Sequence, residues 1–152
     1  ITAASSSSIN DGAAALVLAR ASTANQLGAK PLARIVGHST HAQAPNWFAT
    51  APVGAVQKLL AKTGWSVQDV DLWEINEAFA VVPMALMKEL NLPHDKVNVN
   101  GGACALGHPI GASGARIMVT LIYALQARGL KKGLATLCIG GGEATAVAVE
   151  LV

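Results

Sequence analysis

Short apolar runs alternate with segments of helical periodicity along most of the chain. The runs of strand length occupy residues 13–19, 32–36, 72–75, 135–139 and 144–152. Strands that alternate with helices pack as a parallel sheet whose connections cross over with a right hand. This alternation places the chain in the α/β class before any single residue is considered.

Four further segments are predicted helices, at residues 21–28, 53–62, 77–90 and 115–128. The last of them is apolar on nearly every side, which predicts a buried central helix. The last two strands are joined through a short turn with three glycines, residues 140–142, and so short a connection predicts an antiparallel hairpin. The order βαβαβαββ therefore predicts a five-stranded mixed sheet with helices on both faces. Residues 37–52 are predicted to form a long loop.

Composition narrows the classes of function. The 152 residues are 52% apolar and 13% charged, which excludes intrinsic disorder and predicts one domain spanning residues 1–152. The net charge of +2 comes without a basic cluster, so nucleic acid is not an expected partner. No apolar run is long enough to span a membrane, so none is expected as a partner either. Two cysteines without a secretory leader predict reduced thiols in the cytoplasm or an organellar matrix. The first residue, Ile1, predicts processing or truncation.

The first of three informative loops, residues 76–80, reads NEAFA and follows a predicted strand. Ligands in open α/β sheets gather at such strand ends. Asn76 is predicted either to cap the following helix or to serve a site there. Glu77 is predicted to lie at the positive end of that helix dipole.

The second loop, residues 100–114, is rich in glycine and leads into the predicted helix at 115–128. Its glycines permit close approach to a ligand, and the helix start favours an anion. The loop lacks the Gly-Lys-Ser/Thr of a Walker loop and the glycine spacing of a dinucleotide site. His108, held before Pro109, stands among residues that expose backbone, which sets it apart from the other histidines.

The third loop, residues 138–142, reads CIGGG at the end of a predicted buried strand. Cys138 is either a core residue or a thiolate base or nucleophile beside the backbone donors of the glycines. Zinc bound by Cys104, Cys138 and His108 is a third interpretation. A paired Cys-x-x-Cys and a fourth obvious ligand are both missing from the pattern.

In this order, the three loops resemble those of the thiolase family, the acetyl-CoA C-acyltransferases. The matching segments are residues 9–14 (INDGAA), 76–80, 98–102, 107–116 and 138–142. The resemblance covers the whole chain and implies the second of two similar βαβαβαββ halves, a thiolase C-terminal domain. The first half, whose cysteine is acylated in the family, has no counterpart in this sequence.

The resemblance implies a role for each matching residue. His108 would act as general base toward the missing nucleophile and donate a hydrogen bond to the substrate thioester oxygen. Asn76 would hold the water that completes the first oxyanion hole. Cys138 would remove or return the proton at the α-carbon of the second acyl group, and the Gly140 N–H would help form the second oxyanion hole. Ser7 would contact the pantetheine arm of CoA.

The activity implied is acyl transfer between thioesters, by Claisen condensation of acetyl-CoA or thiolysis of a 3-ketoacyl-CoA. Acyl-CoA and CoA are the expected substrates, and no metal or prosthetic group is expected as a cofactor. The expected partners are the missing N-terminal half and further copies in a homo-oligomer. Two other interpretations stay open: a domain that only packs against a partner half, and a hydrolase built on Cys138 and His108.

Overall fold

A four-stranded mixed sheet forms the centre of the protein, in a computed structural model that describes all 152 residues. The strands are β1 (Ala33–Ala42), β2 (Leu72–Ile75), β3 (Lys132–Ile139) and β4 (Glu143–Leu151). They are hydrogen-bonded in the order β1-β4-β3-β2. β2 and β3 run parallel, whereas β4 is antiparallel to both of its neighbours. The predicted mixed sheet and the predicted hairpin of the last two strands are therefore confirmed.

Helices cover both faces of this sheet, as predicted. They are α1 (Ala21–Gln26), α2 (Ala51–Thr63), α3 (Val81–Leu90), α4 (Ala103–Leu106) and α5 (Ser113–Arg128). Short 3-10 helices lie at Ala3–Ser5, Pro45–Thr50, Val67–Asp69 and His94–Lys96. α2 and α3 pack on one face, and α5 packs on the other. The expectation of a helix buried on nearly every side holds for only one side of α5, because Tyr123 remains 57% exposed.

The core is split into two apolar layers because successive residues of each strand point to opposite faces. In β3, Leu134 and Cys138 join the layer under α2, whereas Ala135 joins the layer under α5. Small side chains on β4 let α2 approach the sheet closely; they are Ala144, Ala146 and Ala148. Close approach of this kind suits a chain with only 4% aromatic residues.

The predicted strand at residues 13–19 is wrong, so the sheet has four strands rather than five. The segment has no regular structure, and the side chain of Val17 is fully exposed. Its composition suits a buried strand, but a strand forms only when a neighbouring strand satisfies its backbone groups. Residues 13–19 pair with no strand of this chain.

The predicted loop at residues 37–52 is wrong in its first part, because β1 continues to Ala42. Residues 37–42 pair with β4 after a β-bulge between Ile35 and Gly37. β1 is an edge strand, and its polar side chains His38 and Thr40 point to solvent. A polar edge strand of this kind reads as a loop in sequence because only the distant β4 gives it a partner.

The helix predicted at residues 77–90 begins only at Val81, so Asn76 is not its cap and Glu77 does not lie at its N-terminus. The residues just before the helix form backbone hydrogen bonds with the N-terminal serines instead. The Ala80 N–H donates to the Ser5 carbonyl at 2.9 Å, and the Ser7 N–H donates to the Ala78 carbonyl at 3.1 Å. The N-terminal serines thus pair with the backbone of residues 78–80, and the helix begins one turn later than predicted.

The turn between β3 and β4 gives a test of how the hairpin is anchored. Gly141 and Gly142 both have positive φ, 94° and 91°, so alanine at either position costs about 1–3 kcal/mol. A Cβ on Gly142 would also overlap the Gln43 carbonyl oxygen, whereas a Cβ on Gly141 would meet no atom. We expect Gly142→Ala to lower the free energy of unfolding by about 1–3 kcal/mol more than Gly141→Ala. Urea denaturation measures the difference, and equal losses would contradict the Gln43 contact.

Glu74 gives a second test, because its carboxylate is buried on β2 facing α5. Arg116 Nη1 lies 3.6 Å from Glu74 Oε2, and Glu74 Oε1 has no hydrogen-bond partner. Burial raises the pKa of Glu74 to about 7, although the charge of Arg116 acts in the opposite direction. In the unfolded chain the pKa returns to an ordinary 4.5.

Between these two pH values the folded protein holds a proton that the unfolded chain has released, so stability falls as the pH rises from about 4.5 to about 7. Glu74→Gln removes the titrating group, and we expect a flatter profile of unfolding free energy over this range. Glu89→Gln makes the same charge change at an exposed position of α3 and serves as the control. Parallel profiles for the two variants would rule out the assignment.

Candidate active site

The site lies where β2 and β3 end side by side. Asn76 follows β2, and its N–H donates to the Thr136 carbonyl of β3 at 3.0 Å, which extends the parallel ladder by one bond. Cys138 lies two residues further along β3. Because parallel strands end at the same edge of a sheet, Asn76 and Cys138 share the edge at which ligands bind in open α/β sheets.

His108 reaches this edge from the glycine-rich loop. Its Nε2 lies 3.3 Å from Asn76 Nδ2, and its Nδ1 is hydrogen-bonded to the buried Ser113 hydroxyl at the start of α5. The His108 N–H donates to the Ser8 carbonyl at 2.8 Å, and Ile9 forms a parallel bridge with His108. The structure thus brings together Asn76 and His108, two residues that are 32 positions apart in the sequence.

The hydrogen bonds around His108 form a consistent chain of donors. Asn76 Nδ2 donates to Nε2, so the ring proton sits on Nδ1 and is donated to the Ser113 oxygen. The Ser113 hydroxyl in turn donates to the Pro109 carbonyl at 3.1 Å. Burial lowers the pKa of His108, and the charge of Arg116 lowers it further. The imidazole is therefore neutral at pH 7, with the lone pair of Nε2 directed toward Asn76.

Asn76 is buried, with 1% of its surface exposed. Its side-chain nitrogen contacts His108, but its Oδ1 has no hydrogen-bond partner within the chain. A buried carbonyl oxygen normally has a partner, so an unpaired one next to a histidine is a feature of a binding site rather than of a core.

Cys138 is 7% exposed and forms no disulfide. Burial raises the pKa of its thiol, so the sulfur is protonated at neutral pH. The side-chain partners of His108 are Asn76 and Ser113, and the thiol is not among them. The hydrolase interpretation requires a Cys–His hydrogen bond and has no support from this geometry.

Gly140 and Ser7, the other predicted site residues, lie in different surroundings. Gly140 is exposed at the start of the turn after β3, two residues beyond Cys138. Ser7 is half-buried, and its hydroxyl donates to the Ala78 carbonyl at 2.9 Å, which places it against the NEAFA segment.

Sequence reasoning missed the roles of two residues that hold the site. Ser113 fixes the ring of His108, as described above. Asn98 bonds both to the backbone of Ile75 and to the carboxylate of Glu77, on either side of Asn76. The one sequence signal for Asn98 is its place in the matched segment 98–102. Its hydrogen-bond partners lie more than 20 positions away, so local sequence does not predict them.

The zinc interpretation also lacks a geometric basis. No three of the His, Cys, Asp and Glu side chains gather closely enough to hold a metal ion. Cys104 is half-exposed, and its sulfur contacts the Glu77 carbonyl at 3.8 Å.

None of the helices has the length and apolar character needed to cross a membrane.

Comparison with known proteins identifies relatives over nearly the whole chain. Residues 29–151 match the family described as thiolase, C-terminal domain. The acetyl-CoA acetyltransferase of Chromobacterium violaceum is 57% identical over 150 residues, which are 99% of this chain and 38% of that protein. The cytosolic acetyl-CoA acetyltransferase of Mus musculus is 51% identical over the same shares.

Solved structures give the same result. An acetyl-CoA acetyltransferase from Bacillus anthracis superposes with a TM-score of 0.97 at 50% identity, covering 100% of this chain and 39% of that one. The Acat5 thiolase from Ascaris suum, solved in complex with coenzyme A, superposes at 0.90 with 42% identity over the same shares.

The fraction of each relative that the chain covers shows how much of a family member this sequence represents. The chain spans about two fifths of the length of the relatives it matches. Since the family pattern covers most of the chain and the relatives match it from end to end, the chain belongs to the thiolase family and corresponds to the C-terminal domain of the family's members.

Proposed function

We propose that this chain supplies the proton-transfer side of an acyl-transfer site. The reaction is Claisen condensation of acetyl-CoA or thiolysis of a 3-ketoacyl-CoA, with CoA thioesters as substrates. The observation that carries the proposal is the contact of Asn76 with a neutral His108 at the sheet edge where Cys138 lies near the end of β3. Relatives that match the chain from end to end bear the name acetyl-CoA acetyltransferase.

His108 is suited to act as general base toward a cysteine from the rest of the polypeptide. Its lowered pKa keeps Nε2 unprotonated at pH 7, and Ser113 fixes the tautomer. Once Nε2 has accepted the proton of the nucleophile, it becomes a donor toward the thioester oxygen. One atom thereby serves both as base and as part of an oxyanion hole.

Asn76 supports that oxyanion hole from its buried position. Its Oδ1 has no partner in the chain, so it is available to accept a hydrogen bond from a water molecule. Such a water, oriented by the amide, would donate its other proton to the thioester oxygen as negative charge develops there.

Cys138 is proposed to exchange the proton at the α-carbon of the second acyl group. In thiolysis, the protonated thiol gives its proton to the α-carbon of the departing enolate and becomes a thiolate. In condensation, that thiolate takes the α-proton back; burial makes it strongly basic, which suits removal of a weakly acidic C–H proton. The carbanion that remains attacks the acyl group on the partner cysteine, which leaves as a thiolate. The N–H of Gly140, two residues on, is the proposed donor to the enolate oxygen of the second acyl group.

The remainder of the polypeptide is the proposed main partner. Apolar side chains of the unstructured segment are exposed, among them Val17 at 100% and Leu18 at 69%. A segment of strand-like composition that belongs to no sheet in this chain is suited to join a sheet in the missing part of the protein.

We further propose that Ser7 contacts the pantetheine arm of CoA and that the enzyme is a homo-oligomer. Since both thiols are free, we propose that the enzyme is cytoplasmic.

The proposal predicts that the 152-residue chain alone does not turn over acetoacetyl-CoA with CoA, because it has no acylated nucleophile. Addition of the separately produced N-terminal part should restore thiolysis, measured by loss of acetoacetyl-CoA absorbance. The chain with His108→Gln should bind the same part, by size-exclusion chromatography, without restoring turnover. Turnover by the chain alone would refute the proposal, and binding without turnover by the unmodified pair would favour a domain that only packs.

A second prediction separates the two half-reactions in the full-length enzyme. Cys138→Ser replaces a thiol by a much weaker acid, so proton removal at the α-carbon should slow by about 100-fold to 10,000-fold. Acylation of the nucleophile by acyl-CoA, followed by rapid quench, should change less than about tenfold, since His108 serves that step. Cys104→Ser is the matched control, because its thiol lies outside the proposed site. Equal losses in both half-reactions of Cys138→Ser would contradict the role of this residue.

A further inference from the structure

The outer edge of β2 is covered by one isolated bridge and one side chain rather than by a further strand. β3 is the only strand of the sheet that pairs with β2, and on the other side Trp73 forms a single bridge with Val97. On that side, the Asn98 N–H donates to the Trp73 carbonyl at 2.9 Å. The Asn98 side chain then bonds to both backbone groups of Ile75: its Oδ1 accepts from the N–H at 2.8 Å, and its Nδ2 donates to the carbonyl at 2.9 Å. One amide thus replaces a neighbouring strand at the last residue before Asn76.

The same amide is joined to the carboxylate of Glu77. Asn98 Nδ2 donates to Glu77 Oε1 at 2.8 Å, and the Cys104 N–H donates to Glu77 Oε2 at 3.1 Å. The two ion pairs of the structure, Arg34 with Glu150 and Arg116 with Glu74, do not include this carboxylate. Its charge is therefore stabilised by neutral donors, in bonds that are stronger than those between uncharged groups.

The carboxylate also lies directly against the backbone of the glycine-rich loop. A Cβ on Gly102 would overlap the Glu77 carboxyl group, so a larger residue at this position would displace that carboxylate. Glu77 is thereby held against the residue that precedes α4, and α4 leads through Gly107 into His108. Glu77 therefore connects the segment that follows β2, which contains Asn76, to the loop that carries His108.

The Asn76 side chain has a single hydrogen bond in the chain. Its Nδ2 bonds to His108, and its Oδ1 has no hydrogen-bond partner. The residues on either side of it, Ile75 and Glu77, are both bonded to Asn98. The position of the Asn76 amide is therefore set by the backbone around it rather than by bonds of its own.

We propose that Asn98 and Glu77 are positioning residues that set the separation and orientation of Asn76 and His108 during acyl transfer. This inference rests on the function proposed above. Neither residue touches the reacting atoms, so loss of either leaves substrate binding nearly unchanged and slows the chemical steps. Small displacements of aligned groups lower rates steeply, whereas they affect binding much less.

The test uses full-length enzyme with two substitutions and two matched controls. Asn98→Gly removes the side chain but retains the left-handed conformation of residue 98, whose φ is 48°. Asn91→Gly is its control, because Asn91 is exposed and also left-handed, with φ 52°. Glu77→Gln replaces an acceptor of two bonds by a group that accepts only at its oxygen, and Glu89→Gln makes the same charge change on the surface of α3.

We expect kcat per folded active site to fall about 10-fold to 100-fold in Asn98→Gly and Glu77→Gln, with KM within about twofold of the parent. Both controls should match the parent. Lower yield or melting temperature with unchanged kcat per folded site would reduce the two residues to an ordinary structural role and overturn the inference.

A spectroscopic readout separates this inference from the proposed function. Nitrogen-15 NMR of the His108 ring reports its Nε2 environment and its titration midpoint, without any turnover. We expect Asn98→Gly and Glu77→Gln to move the Nε2 resonance and raise the midpoint, because a loosened site admits water. An unmoved resonance would overturn the inference even in an active enzyme. Lack of turnover by the unmodified enzyme would overturn the proposed function while the NMR result still stands.

Discussion

The parallel register between β2 and β3 is the constraint on which the site depends. It pairs Ile75 with Thr136, so Asn76 and Cys138 arrive at one edge of the sheet without any bond between their side chains. The antiparallel return of β4 then places the glycine turn, with Gly140, at the same edge. A shift of the register by one residue would exchange the faces of β2 and remove Asn76 from His108.

β2 holds this register although it has only four residues and one strand partner. Two short strands alone are marginally stable in water. The end of β2 is reinforced by segments from both directions of the chain: the N-terminal serines bond to the backbone of residues 78–80, and Asn98 covers the open edge. The residues that stabilise the strand are therefore also those that fix the site, which is why the first two residues of NEAFA are not free to start a helix.

The sequence predicts those parts of the fold whose signal is local. The bounds of β2, the glycine hairpin and the cover of helices on both faces follow from periodicity and turn composition. The full length of β1 does not, because its partners in β4 lie more than 100 positions away. Residues 13–19 have the composition of a strand, but no edge of this chain receives them. The motifs likewise predict Asn76, His108 and Cys138 as site residues, whereas the part proposed for Asn98 depends on contacts that form only in the folded chain.

Burial has one common effect on the ionisable groups around the site, since it favours their uncharged forms. It lowers the pKa of His108 and raises those of Cys138 and Glu74. Before substrate arrives, the site thus holds a neutral base and a neutral acid, and its one nearby cation, Arg116, lies 3.6 Å from a carboxyl group with a pKa of about 7. Under the proposed function, charge is created only when a thiol gives its proton to His108 or when Cys138 exchanges a proton with the substrate. In a site with little water, donors fixed in advance stabilise that new charge more strongly than solvent would. The proposed reaction would therefore depend on the placement of the Asn76 amide and the Gly140 N–H as well as on the strength of the acid and the base.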